Sequence, residues 1–244
     1  MARKSSSARQ TQVSNGAGSG AGGTLATSVY DRMRHDILRG ALGPGEKLRA
    51  EYLRERYQVG NSPVREALNR LSADGLVVRE DQKGFRVAKV SRRDLMELVK
   101  TRCWLEAIAL RESIARRDVV WEENLVLAFH RVSRTPRSSD QTSYAFNPDW
   151  ERRHREFHLG LIAACDSRWL KNFCSQLNDQ ADRYRQLAAL VSFPQRNERD
   201  EHQAILDAAL DGDGDGAVEL LCRHYSRTAE IILNSDFEFS EDDD

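Results

Sequence analysis

The chain has 244 residues, and a mass of 27.8 kDa fits one large domain or two smaller ones. Hydrophobic residues are 40%, charged residues 31% and aromatic residues 7%, enough apolar side chains for a packed core under a charged, helix-rich surface. The formal net charge is −1, no run of 18 apolar residues occurs, and a membrane-spanning helix is therefore excluded. Arg3 and Lys4 lead into no apolar segment, so no secretory signal is expected. Cys103, Cys165, Cys174 and Cys222 are scattered and form no Cys-x-x-Cys pair. They are expected to be reduced thiols of a cytoplasmic protein.

Residues 1–23 are Ser, Gly, Ala, Gln and Thr with almost no apolar anchors and a charge of +3. Such a segment cannot bury enough surface to offset its ordering entropy, so a disordered basic arm is expected. Residues 24–92 hold 14 Lys and Arg against 9 Asp and Glu, whereas residues 93–244 hold 20 against 29. The near-neutral total thus hides a basic N-terminal third and an acidic body, a polarity that suits a nucleic-acid-binding module joined to something else.

The N-terminal module is expected over 24–90. Leu25, Val29, Met33 and Ile37 recur at spacing four and predict an amphipathic helix, stopped at Gly40. A short second helix is predicted over about 50–57, with Leu53 and Tyr57 inward. Ser62 as N-cap and Pro63 at the first helical position then open a third helix carrying Val64, Ala67, Leu68 and Leu71, ending at Gly75. The period then becomes strand-like on either side of residues 80–84, which predicts a hairpin. Three short helices followed by a hairpin are the plan of a winged helix-turn-helix, whose third helix enters the major groove.

The run from Asn61-Ser62-Pro63-Val64-Arg65-Glu66-Ala67-Leu68 through Gly75-Leu76-Val77, with Gln82-Lys83-Gly84-Phe85 at the hairpin, resembles the GntR-type bacterial transcription regulators. That family usually places an Arg where this chain has Asn61. By chemistry, Arg65 on the first turn can read a guanine edge with two parallel hydrogen bonds. Asn61 and Ser62 sit at a helix start that favours phosphate. Arg49 is a further phosphate candidate, Lys83 and Gly84 form the wing tip, and Arg54 and Arg56 are weaker candidates.

From 91 to 235 nothing alternates like a strand. Helices are predicted over about 92–116, 119–135, 148–165, 167–191, 197–211 and 214–234, an all-α bundle, with residues 134–142 as a mobile loop. The predicted fold class is therefore mainly α, a winged helix-turn-helix followed by a helical-bundle effector domain. Residues 236–244 are expected to be a solvated acidic tail. Asp211-Gly212-Asp213-Gly214-Asp215-Gly216 begins like a calcium loop, but position twelve is Cys222 rather than Glu, so it reads as an acidic helix–helix turn.

Histidine placement is the most informative feature of this half. His154 and His158 lie four apart on a face continued by Leu161 and Ile162. His202 shares a face with Leu206 and Ala209, and His224 one with Leu220, Leu221 and Ile231. Four imidazoles from three helices can surround one ion; the competing reading is four unrelated, hydrogen-bonded core histidines. Arg102-Cys103-Trp104-Leu105-Glu106, Glu156-Phe157-His158-Leu159, Glu201-His202-Gln203 and Cys222-Arg223-His224 resemble the effector domain of the fatty-acid-regulator branch of the GntR family. Within that branch, the combination of residues 59–68, the wing, and the segments 150–158 and 179–187 is most similar to the carbon-starvation-induced repressor type. The resemblance implies a divalent metal on His158, His202 and His224, with His154 where the family has Asp. An all-His set favours zinc or nickel. It also implies a small organic acid, a dicarboxylate such as glutarate, held by Arg102 and lined by Tyr184 and Arg185.

The functional expectation is a ligand-responsive, DNA-binding repressor acting as a homodimer on double-stranded DNA with an inverted repeat, its half-sites about one helical turn apart. A metal-sensing regulator without an organic ligand is the alternative. A His-rich metalloenzyme is disfavoured, because no His-Glu-x-x-His occurs and Glu156 points away from His158 on a helix.

Overall fold

The computed structural model describes residues 25–239; the arm at 1–23 and the end of the acidic tail lie outside them. The N-terminal half runs α1 (Leu25–Leu38), β1 (Lys47–Leu48), α2 (Ala50–Tyr57), α3 (Asn61–Ala73), β2 (Val77–Glu80) and β3 (Gly84–Val87). Val29, Met33, Leu53, Val64, Ala67, Leu68 and Leu71 close one core, as the helical spacing requires. The wing is a three-stranded antiparallel sheet in the order β1-β3-β2, with Arg86 opposite both Lys47 and Val78. The two-residue β1 carries no detectable period, so it could not be read from sequence.

The start of α3 corrects one expectation. Gly60, in an extended conformation, is the N-cap, and Ser62 already lies inside the helix with no capping bond. Pro63 stays within the first turn, where the N–H it lacks would have no intrahelical partner. At the other end Gly75 adopts φ +70°, as the C′ position of a left-handed cap demands.

Six helices build the C-terminal half: α4 (Arg92–Ala115), α5 (Val119–Ser133), α6 (Pro148–Leu161), α7 (Arg168–Ser192), α8 (Glu198–Asp211) and α9 (Gly214–Leu233). The breaks seen in sequence are caps. Ser91, Asp118, Asn147, Ser167, Asn197 and Asp213 each accept a backbone N–H of the following first turn. Such caps contribute about 1 kcal/mol apiece. Asp213 caps α9 and Gly212 ends α8, which accounts for the calcium-like motif as a turn. Leu110, Leu125, Phe157, Leu161, Ile205 and Leu221 are buried in one core between these helices, and Leu95, Tyr184, Ala188 and Ile232 in a second.

Two further expectations are corrected. The segment 134–147 is ordered by its own polar atoms. Ser138 Oγ is buried, donates to Ser143 O and accepts from Asp140 N and Ala145 N, while Asn147 Nδ2 donates to Pro136 O. The start of the acidic tail is also not free in solvent, since Phe237 and Phe239 pack on the second core and Arg92 lies over the Phe239 ring.

The halves meet along α7. Gln180 donates to Asp74 O, and Arg183 Nη1 donates to Ala88 O at 3.2 Å. Arg34 Nη2 of α1 reaches Asp179 Oδ1 at 3.1 Å and Asp182 Oδ2 at 3.3 Å. A Cβ on Gly75 would stand 2.8 Å from Gln180 Nε2, so a side chain there would push the Gln180 amide off this crossing.

Candidate functional site

The four inward histidines of the bundle converge, while His130 on α5 is exposed. His154 and His158 of α6, His202 of α8 and His224 of α9 are 2–5% exposed, and their candidate ligand atoms all lie within 4.8 Å of one another. The two Nε2 atoms on α6 are 3.1 Å apart. Donors 2.0–2.1 Å from one tetrahedral ion stand about 3.3–3.4 Å apart, so the wider pairs close in by roughly 1 Å around a cation. Trp150 stacks on His154 at 4.5 Å between ring centroids, and the Phe157 ring lies 5.1 Å from His202.

Outer hydrogen bonds turn two of the rings inward. His224 Nδ1 donates to Glu201 Oε2 at 2.7 Å, which frees its Nε2 lone pair for the interior. Tyr225 donates to Glu106 Oε2 at 2.5 Å, so its oxygen accepts from His158 Nδ1 at 3.2 Å, again freeing Nε2. Carboxylates and hydroxyls behind a ligating His usually do this work of fixing the tautomer. His202 Nε2 and His154 Nδ1 are buried with no hydrogen-bond partner among the described residues. His154 therefore has no such outer support on Nδ1.

Electrostatics keep the rings neutral. Burial pushes His154, His158 and His202 well below the usual imidazole range, and the neighbouring guanidiniums of Arg185, Arg102 and Arg196 add to the effect. Burial also lowers His224, against an opposing pull from Glu201. Burial alone would raise the Glu201 carboxyl, but its bonds to His224 and Arg196 outweigh that and hold it well below the usual carboxylate range. Neutral imidazole is the form that ligates metal. A buried, all-imidazole donor set with inward lone pairs fits zinc or nickel better than a hard oxygen-seeking cation.

The three residues expected to hold the acid are committed elsewhere. Arg102 Nε pairs with Glu106 at 2.9 Å, and Arg185 Nη1 pairs with Asp182 at 2.8 Å while its Nη2 meets Glu151. The Tyr184 hydroxyl donates to Asp94 at 2.5 Å. They line, with His154 and His224, a cavity of about 30 Å³, space for a water rather than a dicarboxylate. A larger cavity of about 200 Å³ opens on the other side of His202, walled by Arg137, Trp150, Arg196 and Glu198. Arg137 lies over the Trp150 ring at 3.9 Å, pairs with Glu151 at 2.7 Å, and leaves Nη2 buried without a partner. Sequence reasoning missed Arg137, because its segment looked like a loose polar loop. It also missed Glu201 and Tyr225, whose roles depend on which helix lies opposite.

A chain of ion pairs links this site to the other half. Arg155, next to His154 on α6, pairs with Asp179, which pairs with Arg34 of α1. Asp182 is shared between Arg34 and Arg185.

On the winged half, Arg49, Asn61, Ser62, Arg65, Lys83 and Gly84 are all exposed. Val64 and Leu68 point into the core and leave Arg65 on the outer face of α3, at its first turn. Arg56 is drawn away from that role: it holds Asp36 Oδ2 with Nε at 3.0 Å and Nη2 at 2.8 Å.

Comparison with known proteins agrees with both halves. Residues 25–87 match the bacterial regulatory proteins of the gntR family, and residues 97–227 match the FCD domain. The chain is 39% identical to the HTH-type transcriptional regulator BphR of Paraburkholderia xenovorans, over 86% of this chain and 85% of that protein. It is 34% identical to the HTH-type transcriptional repressor GlaR of Escherichia coli, over 83% and 93%. A GntR regulator from Rhodococcus sp. RHA1 shares the fold at a TM-score of 0.68 and 20% identity, over 87% of this chain and 99% of that one. Among the described residues no helix is long and apolar enough to cross a membrane. The chain belongs to the GntR family of bacterial regulatory proteins, a DNA-binding transcription regulator rather than an enzyme, with an FCD effector domain.

Proposed function

We propose that this regulator is a homodimeric repressor whose effector domain binds a divalent metal on His154, His158, His202 and His224, and a small organic acid beside it. The observation that carries the reading is four buried, neutral imidazoles from three helices within 4.8 Å of one another. A bound ion would tie α6, α8 and α9 together and present a Lewis-acidic centre to a carboxylate. Among the cations near the site, Arg137 is the better placed for the acid: besides its pairs with Glu151 and Glu198 it keeps an unpartnered Nη2 at the 200 Å³ cavity, whereas Arg102 and Arg185 wall the smaller space.

The acid would act on DNA through α7, which touches both the site wall and α1. On the DNA side, Arg65 reads bases, Arg49, Asn61 and Ser62 meet phosphate, and Lys83 with Gly84 enters the groove at the wing tip. The homodimer has an apolar face available. Trp104 and Ile108 lie one turn apart on α4, Trp169 and Phe173 one turn apart on α7, and all four are at least half exposed. Bonds of Asp94 to Tyr184 and of Arg102 to Asn178 make the two helices antiparallel, so the pairs fall level with each other.

Metal analysis of purified protein tests the centre: wild type carries about one zinc or nickel per chain, and His202→Ala with His224→Ala carries none. Unchanged metal content removes the centre. Thermal shift of the metal-loaded protein against C4–C6 dicarboxylates then separates this reading from a metal sensor with no organic ligand, which would show no shift with any of them.

A further inference from the structure

A cleft of about 410 Å³ lies between the two halves, away from the histidines. Its walls come from both sides: Ile37, Leu38 and Val87 from the winged half, Leu187 and Leu190 from α7, and Phe146 from the ordered segment before α6. That volume lies within the range of small-molecule sites.

A buried cation lines it with an unspent donor. Arg183 is 8% exposed; Nη1 donates to Ala88 O at 3.2 Å and Nη2 to Gln180 Oε1 at 3.2 Å, but Nε has no partner. The carboxylate it meets is Asp94, 3.9 Å away on a side chain that is 57% exposed. Burial pushes the guanidinium pKa down, which is the response of a charge with too little compensation. Gln186 is 4% exposed, accepts from the Tyr144 hydroxyl through Oε1, and turns its amide toward Glu151, whose carboxyl it helps hold low. A buried donor without an acceptor is costly, and one on an under-compensated cation at an apolar cleft calls for an anion with lone pairs to offer.

We propose that this interdomain cleft is a second ligand site, distinct from the metal centre, for a monocarboxylate with an apolar body. The carboxylate accepts from Arg183 and supplies the charge that Arg183 lacks. The aliphatic or aromatic body lies against Ile37, Leu38, Val87, Leu187 and Leu190. Since the walls belong to both halves, an occupant grips α1 and the wing base against α7.

Calorimetric titration of the full-length protein with octanoate and 4-phenylbutyrate, each compared with its alcohol, tests the site. One acid binds per chain, at least tenfold more tightly than the alcohol. Arg183→Gln and Leu190→Trp each weaken it at least tenfold; the second variant fills the cleft from a position 61% exposed, so the fold tolerates it. Binding persists in His202→Ala, which separates this site from the metal centre. No binding of either acid to wild type, unchanged affinity in Leu190→Trp, or loss of binding in His202→Ala overturns the proposal.

Discussion

Mild acid should destabilise the metal-free protein chiefly through its buried histidines. His154, His158 and His202 are fully buried and sit well below the ordinary imidazole value of 6.5, burial being the largest cause. In the unfolded chain they regain that value. The unfolded state therefore binds more protons below pH 6.5, and stability present above it is lost as pH falls. Each group costs about 1.4 kcal/mol at pH 5.5 if its folded form stays neutral there, so three cost about 4 kcal/mol. That is a large part of the roughly 5–15 kcal/mol that a domain possesses. His224 adds less, because Glu201 opposes its shift. Glu201 itself is held low, so its contribution fades as pH falls through the ordinary carboxylate value of 4.5 and below, outside this window. Urea unfolding of chelator-treated protein at pH 7.5 and 5.5, followed by circular dichroism, measures the difference. A loss under about 1.4 kcal/mol, the share of a single group, would refute the claim that burial holds these rings neutral.

Arg65→Ala should abolish sequence-specific operator binding, by about 1–3 kcal/mol per lost bidentate contact, with the fold intact by circular dichroism; retained specificity in a footprint removes Arg65 from the reading set. Glu201→Gln keeps an acceptor for His224 but removes the charge behind it, and should weaken metal binding about 10–100-fold in a chelator competition. Trp169→Glu, at a position 68% exposed, should yield monomers in sedimentation while leaving metal content unchanged; a dimer of wild-type stability places the interface elsewhere.

The bundle was legible because its helices are long and amphipathic and its caps are explicit residue types, from Asp118 to Asp213. The histidine centre was legible for the same reason: helical spacing alone puts His154 above His158 and turns His202 and His224 inward. What sequence could not deliver depends on partners remote in the chain. Glu201 supports His224 across a helix pair rather than the adjacent His202, and Tyr225 matters only because Glu106 faces it. Arg102 looked like a free cation for an acid, yet Glu106, one turn on, consumes it. The segment 134–147 looked loose because its order comes from side-chain bonds of Ser138, Asp140 and Asn147, which carry no periodic signal.

The ion pairs at the junction of the two halves bear on how this protein responds to salt. Arg34, Asp179 and Arg155 are each about a quarter exposed, so mobile ions can reach them. At 0.15 M the screening length is about 8 Å, and it shortens further as salt rises. Added salt would then act twice: it competes for the phosphates at α3 and the wing, and it loosens the clasp that orients the winged half on its bundle. Operator affinity should fall with ionic strength more steeply than the number of phosphate contacts alone dictates. Replacing Arg34 with Met should bring the slope back toward that number, at the expense of affinity in dilute buffer.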